Sequence, residues 1–216
     1  MTVRWSTGRR PAFRLALRVA PGMRVGLYGG SFDPAHEGHA HVARTAARRL
    51  GLDRVIWLVA PRNPLKTSGA ALDLAARQTG VARLARGPLM VVSDAERRLA
   101  TRYTIDTVRA LKVRFPGVHF VWIMGADGLG ELHRWREWTA LMREIPVAVV
   151  ARPGASLRSR LSPAARRFAA ARLPSTAARR LVATRPPAWV YIAAPWNFAS
   201  STALRQRAGA EPPGMC

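Results

Sequence analysis

The chain has 216 residues, 49% of them hydrophobic and 22% charged, with a formal net charge of +23 at pH 7 and a single cysteine, Cys216. That length supports one sizeable core and at most a small appended lobe, and no apolar run approaches the roughly 18 residues that a membrane-spanning helix needs. One cysteine excludes a disulfide framework and a cysteine-based metal site, as fits a reducing cytoplasm, while the basic excess favours anionic partners, nucleotides or nucleic acid.

Residues 1–32 carry six arginines and no acid. Arg14 and Arg18 interrupt the Phe13–Val19 apolar segment, which makes a poor secretory signal. Residues 1–22 are therefore expected to be a disordered basic extension, with Met23 directly before the first strand. Arg24–Tyr28 is short and β-rich and runs into Gly29-Gly30, a strand followed by a tight turn. Glu37–Leu50 is alanine-rich and ends at Gly51, so a helix with a glycine cap is expected. Arg54–Ala60 predicts a second strand stopped by Pro61, residues 61–69 a loop, Leu72–Arg86 a helix and Leu89–Val92 a third strand. Thr104–Phe115 has the apolar spacing of an amphipathic helix, with Thr104 as its N-cap and Asp106 in the first turn. Val118–Met124 predicts a strand, Trp135–Glu144 a helix and Val147–Ala151 a strand. Residues 152–185 hold nine arginines and no acid, with one helix over Pro163–Arg172. Trp189–Ala193 closes the set of strands, and Ser200–Arg207 opens a helix.

Continuously apolar strands alternating with helices predict a parallel sheet covered on both faces, a Rossmann-like doubly wound α/β fold. A single domain is expected over 23–207, with 208–216 as a tail. In such sheets ligands bind beyond the C-terminal ends of the strands, where the 29–39 turn, the 61–69 loop, Asp127 and the 197–205 turn all fall.

The string Gly29-Gly30-Ser31-Phe32-Asp33-Pro34-Ala35-His36-Glu37-Gly38-His39 carries the chemistry. Two glycines let the backbone bend and approach a ligand, and the next helix offers free N–H groups and a positive dipole end to an anion. His36 and His39 lie near its first turn and can hydrogen-bond phosphate oxygens; Gly38 lets a ligand come close. The string is neither a Walker A loop nor a Gly-x-Gly-x-x-Gly fingerprint. A metal site at His36, His39 and His41 lacks the acid found in zinc helices.

This string resembles the signature of the nucleotidyltransferase superfamily, and Ser200-Ser201-Thr202-Ala203-Leu204-Arg205 resembles its second element. Tyr103-Thr104-Ile105-Asp106-Thr107, Gly125-Ala126-Asp127 with His133-Arg134-Trp135, Val149–Gly154 and Pro195-Trp196 resemble further segments of bacterial nicotinate-mononucleotide adenylyltransferases. The likeness runs from about Arg24 to Arg207. Gly128 and the short C-terminus depart from the usual pattern.

The resemblance implies adenylyl transfer from ATP to nicotinate mononucleotide, with Mg²⁺ accompanying ATP. His36, His39 and Arg205 are the implied catalytic residues. Gly29, Gly30, Ser31, Phe32, Asp127, Ser201 and Thr202 join them on ATP; Lys66, Tyr103, Thr104 and Trp135 hold the mononucleotide. Lys66 has an alternative as a solvated loop lysine, Asp127 as a helix cap, and Trp135 as a packed core residue like Trp57, Trp122 and Trp138. Rival readings are another acceptor, such as nicotinamide mononucleotide, or a basic nucleic-acid-binding protein. The arginines lack interleaved aromatic platforms, so no specific nucleic-acid partner is expected. No membrane partner is expected, and the sequence leaves open whether the chain is a homo-oligomer.

Overall fold

The apolar runs fold as strands of one sheet. The computed structural model describes residues 17–60, 73–151 and 159–193. Its strands are β1 (Arg24–Gly30), β2 (Arg54–Val59), β3 (Met90–Ser93), β4 (His119–Gly125), β5 (Val147–Ala151), β6 (Arg172–Leu173) and β7 (Trp189–Ala193). They pair in parallel in the order β3-β2-β1-β4-β5-β7-β6. The order reverses between β1 and β4, which opens the crevice where ligands bind in doubly wound sheets.

Successive side chains of a strand face opposite ways, and this splits the core in two. Leu27, Ile56, Leu58, Trp122, Met124, Val149 and Tyr191 face one layer. Tyr28, Trp57, Val121, Ile123, Val150 and Ile192 face the other. The first layer is covered by α4 (Thr104–Arg114), α5 (Ala126–Glu131), α6 (Trp138–Glu144) and α7 (Pro163–Arg167), through Ile105, Val108, Leu111, Leu129, Leu141 and Ala164. The second is covered by α1 (Glu37–Leu50), α2 (Leu74–Leu84) and a 3-10 helix at Ser175–Ala183. A short helix, α3 (Ala95–Arg98), follows β3. Among the described residues no helix is long and apolar enough to cross a membrane.

Local signals explain several boundaries. Gly51 ends α1 at φ 64°, a left-handed conformation that costs glycine little. Asp73 caps α2 by accepting from the Ala76 N–H at 2.6 Å. Ser162 caps α7, with Pro163 at its first position.

Four expectations need correction. Trp135–Glu144 is not one helix: a 3-10 turn at Leu132–Arg134 leads into Trp135–Glu137, and α6 starts only at Trp138. Glu137 lies at φ 49° and breaks the helical path there. Thr104 is not an N-cap, because Tyr103 is the extended cap residue and Thr104 is already helical. The helix expected over Pro163–Arg172 stops at Arg167 and tightens to 3-10 geometry at Ala169–Ala171 before β6.

The fourth concerns the leader. Residues 1–16 lie outside the described residues, but from residue 17 the chain packs. Leu17 is 1% exposed within the first core layer, and Val19 leans on it. The Gly22 N–H donates to the Gly117 carbonyl at 2.8 Å, which ties this segment to the end of α4.

Candidate active site

The signature turn starts where β1 ends. Phe32 adopts φ 48°, unfavourable for a residue with a side chain. Its ring is buried edge-on to Tyr28 at 5.3 Å and to His39 at 5.1 Å, and lies 5.2 Å from Trp57. This packing holds the turn. Any contribution of Phe32 to a ligand must therefore come from its backbone.

The two histidines form a reciprocal cap on α1. His36 Nδ1 accepts from the Gly38 N–H at 3.0 Å, and His39 Nδ1 accepts from the His36 N–H at 3.2 Å. Their ring centroids are 3.8 Å apart. An Nδ1 that accepts must keep its lone pair, so a neutral ring carries its proton on Nε2. Each neutral imidazole thereby carries its proton on Nε2 at the helix start.

Next to this turn lies a cavity of about 400 Å³. It is lined by Gly29, Gly30 and Ser31 from the end of β1, by Tyr103 and Thr104 at the start of α4, and by Trp122 and Trp135. Three segments far apart in sequence thus meet at the C-terminal ends of β1 and β4. Trp135 combines its two alternatives: it is half-buried, its ring stands at 88° to Trp122 at 6.1 Å, and it lines the cavity. Trp57 and Trp122 are core residues, whereas Trp138 is only partly buried against Phe168. A Cβ on Gly29 would stand 2.3 Å from Trp122 Cη2, so this glycine makes room for the indole.

The cavity also holds charge that the sequence reading assigned no role. Arg102, Arg134 and Arg136 line it, with Glu96 and Glu131. The Arg136 guanidinium lies 4.8 Å from the Tyr103 ring centre and that of Arg102 5.6 Å, within cation–π range. Glu96 is 8% exposed, and burial pushes its carboxyl up to about 7. Asp94, two residues away, titrates the other way. Burial raises it, but hydrogen bonds from Arg98 and Arg97 outweigh that and hold it below the usual carboxylate range. Nothing in the Asp94–Arg98 string distinguishes its two acids; only their positions in the fold do.

Asp127 lies exposed in the first turn of α5, with Oδ1 folded over the backbone of Gly125. Gly125 is the N-cap of that helix, so Asp127 stands one turn position inside its start. Lys66, Ser201, Thr202 and Arg205 lie outside the described residues. Arg77, not singled out in the sequence, is 5% exposed and its Nη1 donates to the carbonyls of Ser31 and Ala60. The signal available was its place four residues before Val81, on the buried stripe of α2.

Comparison with known proteins agrees with this arrangement. A cytidylyltransferase-like family profile matches residues 27–207. A protein from Caulobacter sp. (strain K31), described as a probable nicotinate-nucleotide adenylyltransferase, is 66% identical over 86% of this chain and 98% of its own length. One from Methylorubrum extorquens with the same description is 53% identical over 86% and 100%. The fold matches the Plasmodium falciparum nicotinic acid mononucleotide adenylyltransferase complexed with NaAD, at TM-score 0.63 and 17% identity over 84% of this chain and 82% of that one. Signature turn, sheet order and relatives agree: the chain belongs to the cytidylyltransferase-like family of nucleotidyltransferases, among the nicotinate-nucleotide adenylyltransferases.

Proposed function

We propose that this chain transfers the adenylyl group of ATP to nicotinate mononucleotide in the cytoplasm, giving deamido-NAD and pyrophosphate. The observation that supports the reading is the cavity in which Gly29–Ser31, Tyr103–Thr104 and Trp135 meet, at the turn that leads into the histidine-capped helix α1.

A phosphate monoester is already an anionic nucleophile near neutral pH, its second pKa being about 6. A phosphate oxygen of the mononucleotide attacks the α-phosphorus of ATP. The new O–P bond forms as the bond between the α-phosphorus and the bridging oxygen breaks, and that oxygen leaves with pyrophosphate. No general base is needed, so catalysis rests on alignment and on charge stabilisation. His36 and His39, each with its Nδ1 held by the backbone and its proton on Nε2, are the proposed partners of the phosphate oxygens on which charge grows. Ser201, Thr202 and Arg205 belong to the same proposal at the β,γ end, as does Asp127 on the nucleoside.

Arg102, Arg134 and Arg136 supply a positive field to an acceptor bearing a phosphate and a carboxylate. Trp135 offers a stacking face to the pyridine ring, and the backbone at the start of α4 offers N–H groups to the carboxylate. Lys66 is proposed for a substrate phosphate. Mg²⁺ enters with the triphosphate as part of the substrate. Among the described residues no group of three His, Cys, Asp or Glu is placed to hold a metal.

The test is pyrophosphate release from ATP with nicotinate mononucleotide, run in parallel with nicotinamide mononucleotide. The acid is expected to be strongly preferred, and His39→Ala to abolish turnover with little loss of fold. A preference for the amide would refute the acceptor assignment.

A further inference from the structure

Arg77 takes no part in the chemistry above, yet it is an arginine buried behind the nucleotide site. Its Nη1 donates to the Ser31 carbonyl at 2.9 Å and to the Ala60 carbonyl at 2.6 Å. Ser31 follows the end of β1 and Ala60 the end of β2, and the Ala60 N–H donates to the Gly30 carbonyl at 3.0 Å. One guanidinium therefore pins the two strand ends from which the cavity wall is built, since Gly30, Ser31 and Ala60 all line that cavity. The same helix leans on the turn further along: a Cβ on Gly80 would lie 3.7 Å from the Ala35 Cβ.

Fixing the Ser31 carbonyl has a directional consequence. The C=O and N–H of one planar trans peptide point in opposite directions. A Ser31 carbonyl aimed at the guanidinium therefore aims the Phe32 N–H away from α2. Phe32 stands at φ 48°, a conformation that persists only when its surroundings over-determine it. Burial of the phenyl ring restrains one side of this residue, and the Arg77 bond restrains the peptide before it. A lysine would present a point charge on a flexible stem in place of a planar fork with fixed donors.

We propose that Arg77 is a positioning residue for ATP: it holds the Ser31–Phe32 peptide in the orientation in which the turn's N–H groups meet the triphosphate. The proposal rests on the reading of the turn as the ATP side of the site.

Arg77→Gln and Arg77→Lys test it, each assayed for the KM of both substrates and for the thermal shift produced by ATP alone and by mononucleotide alone. Arg77→Gln is expected to raise the KM for ATP at least tenfold and to lose most of the ATP-induced shift. The mononucleotide KM should stay within twofold and its thermal shift should remain. Arg77→Lys should fall between wild type and Arg77→Gln. A purely structural role would move both substrates together, and that result, or an unchanged KM for ATP, overturns the proposal. If Arg77→Gln does not fold, the same split read on Arg77→Lys decides. A wild-type protein with neither an ATP-induced shift nor turnover would overturn the reading of the site itself, whereas active wild type with no split in the variants overturns Arg77 alone.

Discussion

Glu96 and Asp94 show how far two like residues can be driven apart by position. In the unfolded chain Glu96 titrates near its ordinary value of 4.5, and in the folded protein at about 7. Between those values the native state holds more protons than the unfolded one, so stability falls as pH rises through the window and levels off above it. Glu96→Gln removes the ionisation while keeping a similar shape. Thermal denaturation from pH 4 to pH 8 should show the variant and wild type close together at the acid end. The variant should gain by up to about 3 kcal/mol above pH 7. Parallel curves across the range would show that the buried carboxyl does not titrate in this way. A protein keeps such a costly group only in special surroundings, and Glu96 lines the same cavity as three arginines.

At the scale of elements, the start of α1 joins a structural cap to the proposed chemistry. Its cap is made of the two residues that the signature assigns to phosphate, since both Nδ1 atoms are occupied by backbone N–H groups. His36→Ala removes the bond to the Gly38 N–H, so it should cost about 1 kcal/mol of stability as well as turnover. Urea denaturation would detect this as a lower midpoint at unchanged slope. A variant with full stability and lost turnover would mean that the cap is dispensable. At the other wall, the break between the 3-10 turn at Leu132–Arg134 and α6 puts Trp135 on an irregular segment rather than a helix face. There one ring can both pack against Trp122 and line the cavity.

For the whole molecule, the sheet and its two core layers extend slightly further than the sequence suggests. Leu17 sits at 1% exposure in the layer with Leu27, Leu111 and Phe120. Deleting residues 1–22 should therefore cost about 2–3 kcal/mol more than deleting residues 1–16, the worth of burying one leucine. Equal melting temperatures for the two truncations would contradict this. The +23 charge acts at this scale as well. Three exposed arginines line the cavity, and a positive field there favours anionic ligands.

The sequence by itself determined the parallel α/β architecture, the limits of α1, β5 and β7, and the turn at Gly29–His39. These are local matters: apolar runs, a glycine able to adopt positive φ, and a motif contained in eleven residues. The tertiary structure alone decided what depends on neighbours distant in the chain. Glu96 is an ordinary acid until the fold buries it at the cavity wall, and Arg77 an ordinary helix arginine until two strand ends supply its acceptors. Gly29 looks like room for a ligand until the Trp122 ring is seen against it. Burial and hydrogen-bond partners are properties of the assembled layers, and a linear pattern carries them only where its period happens to reveal the buried face.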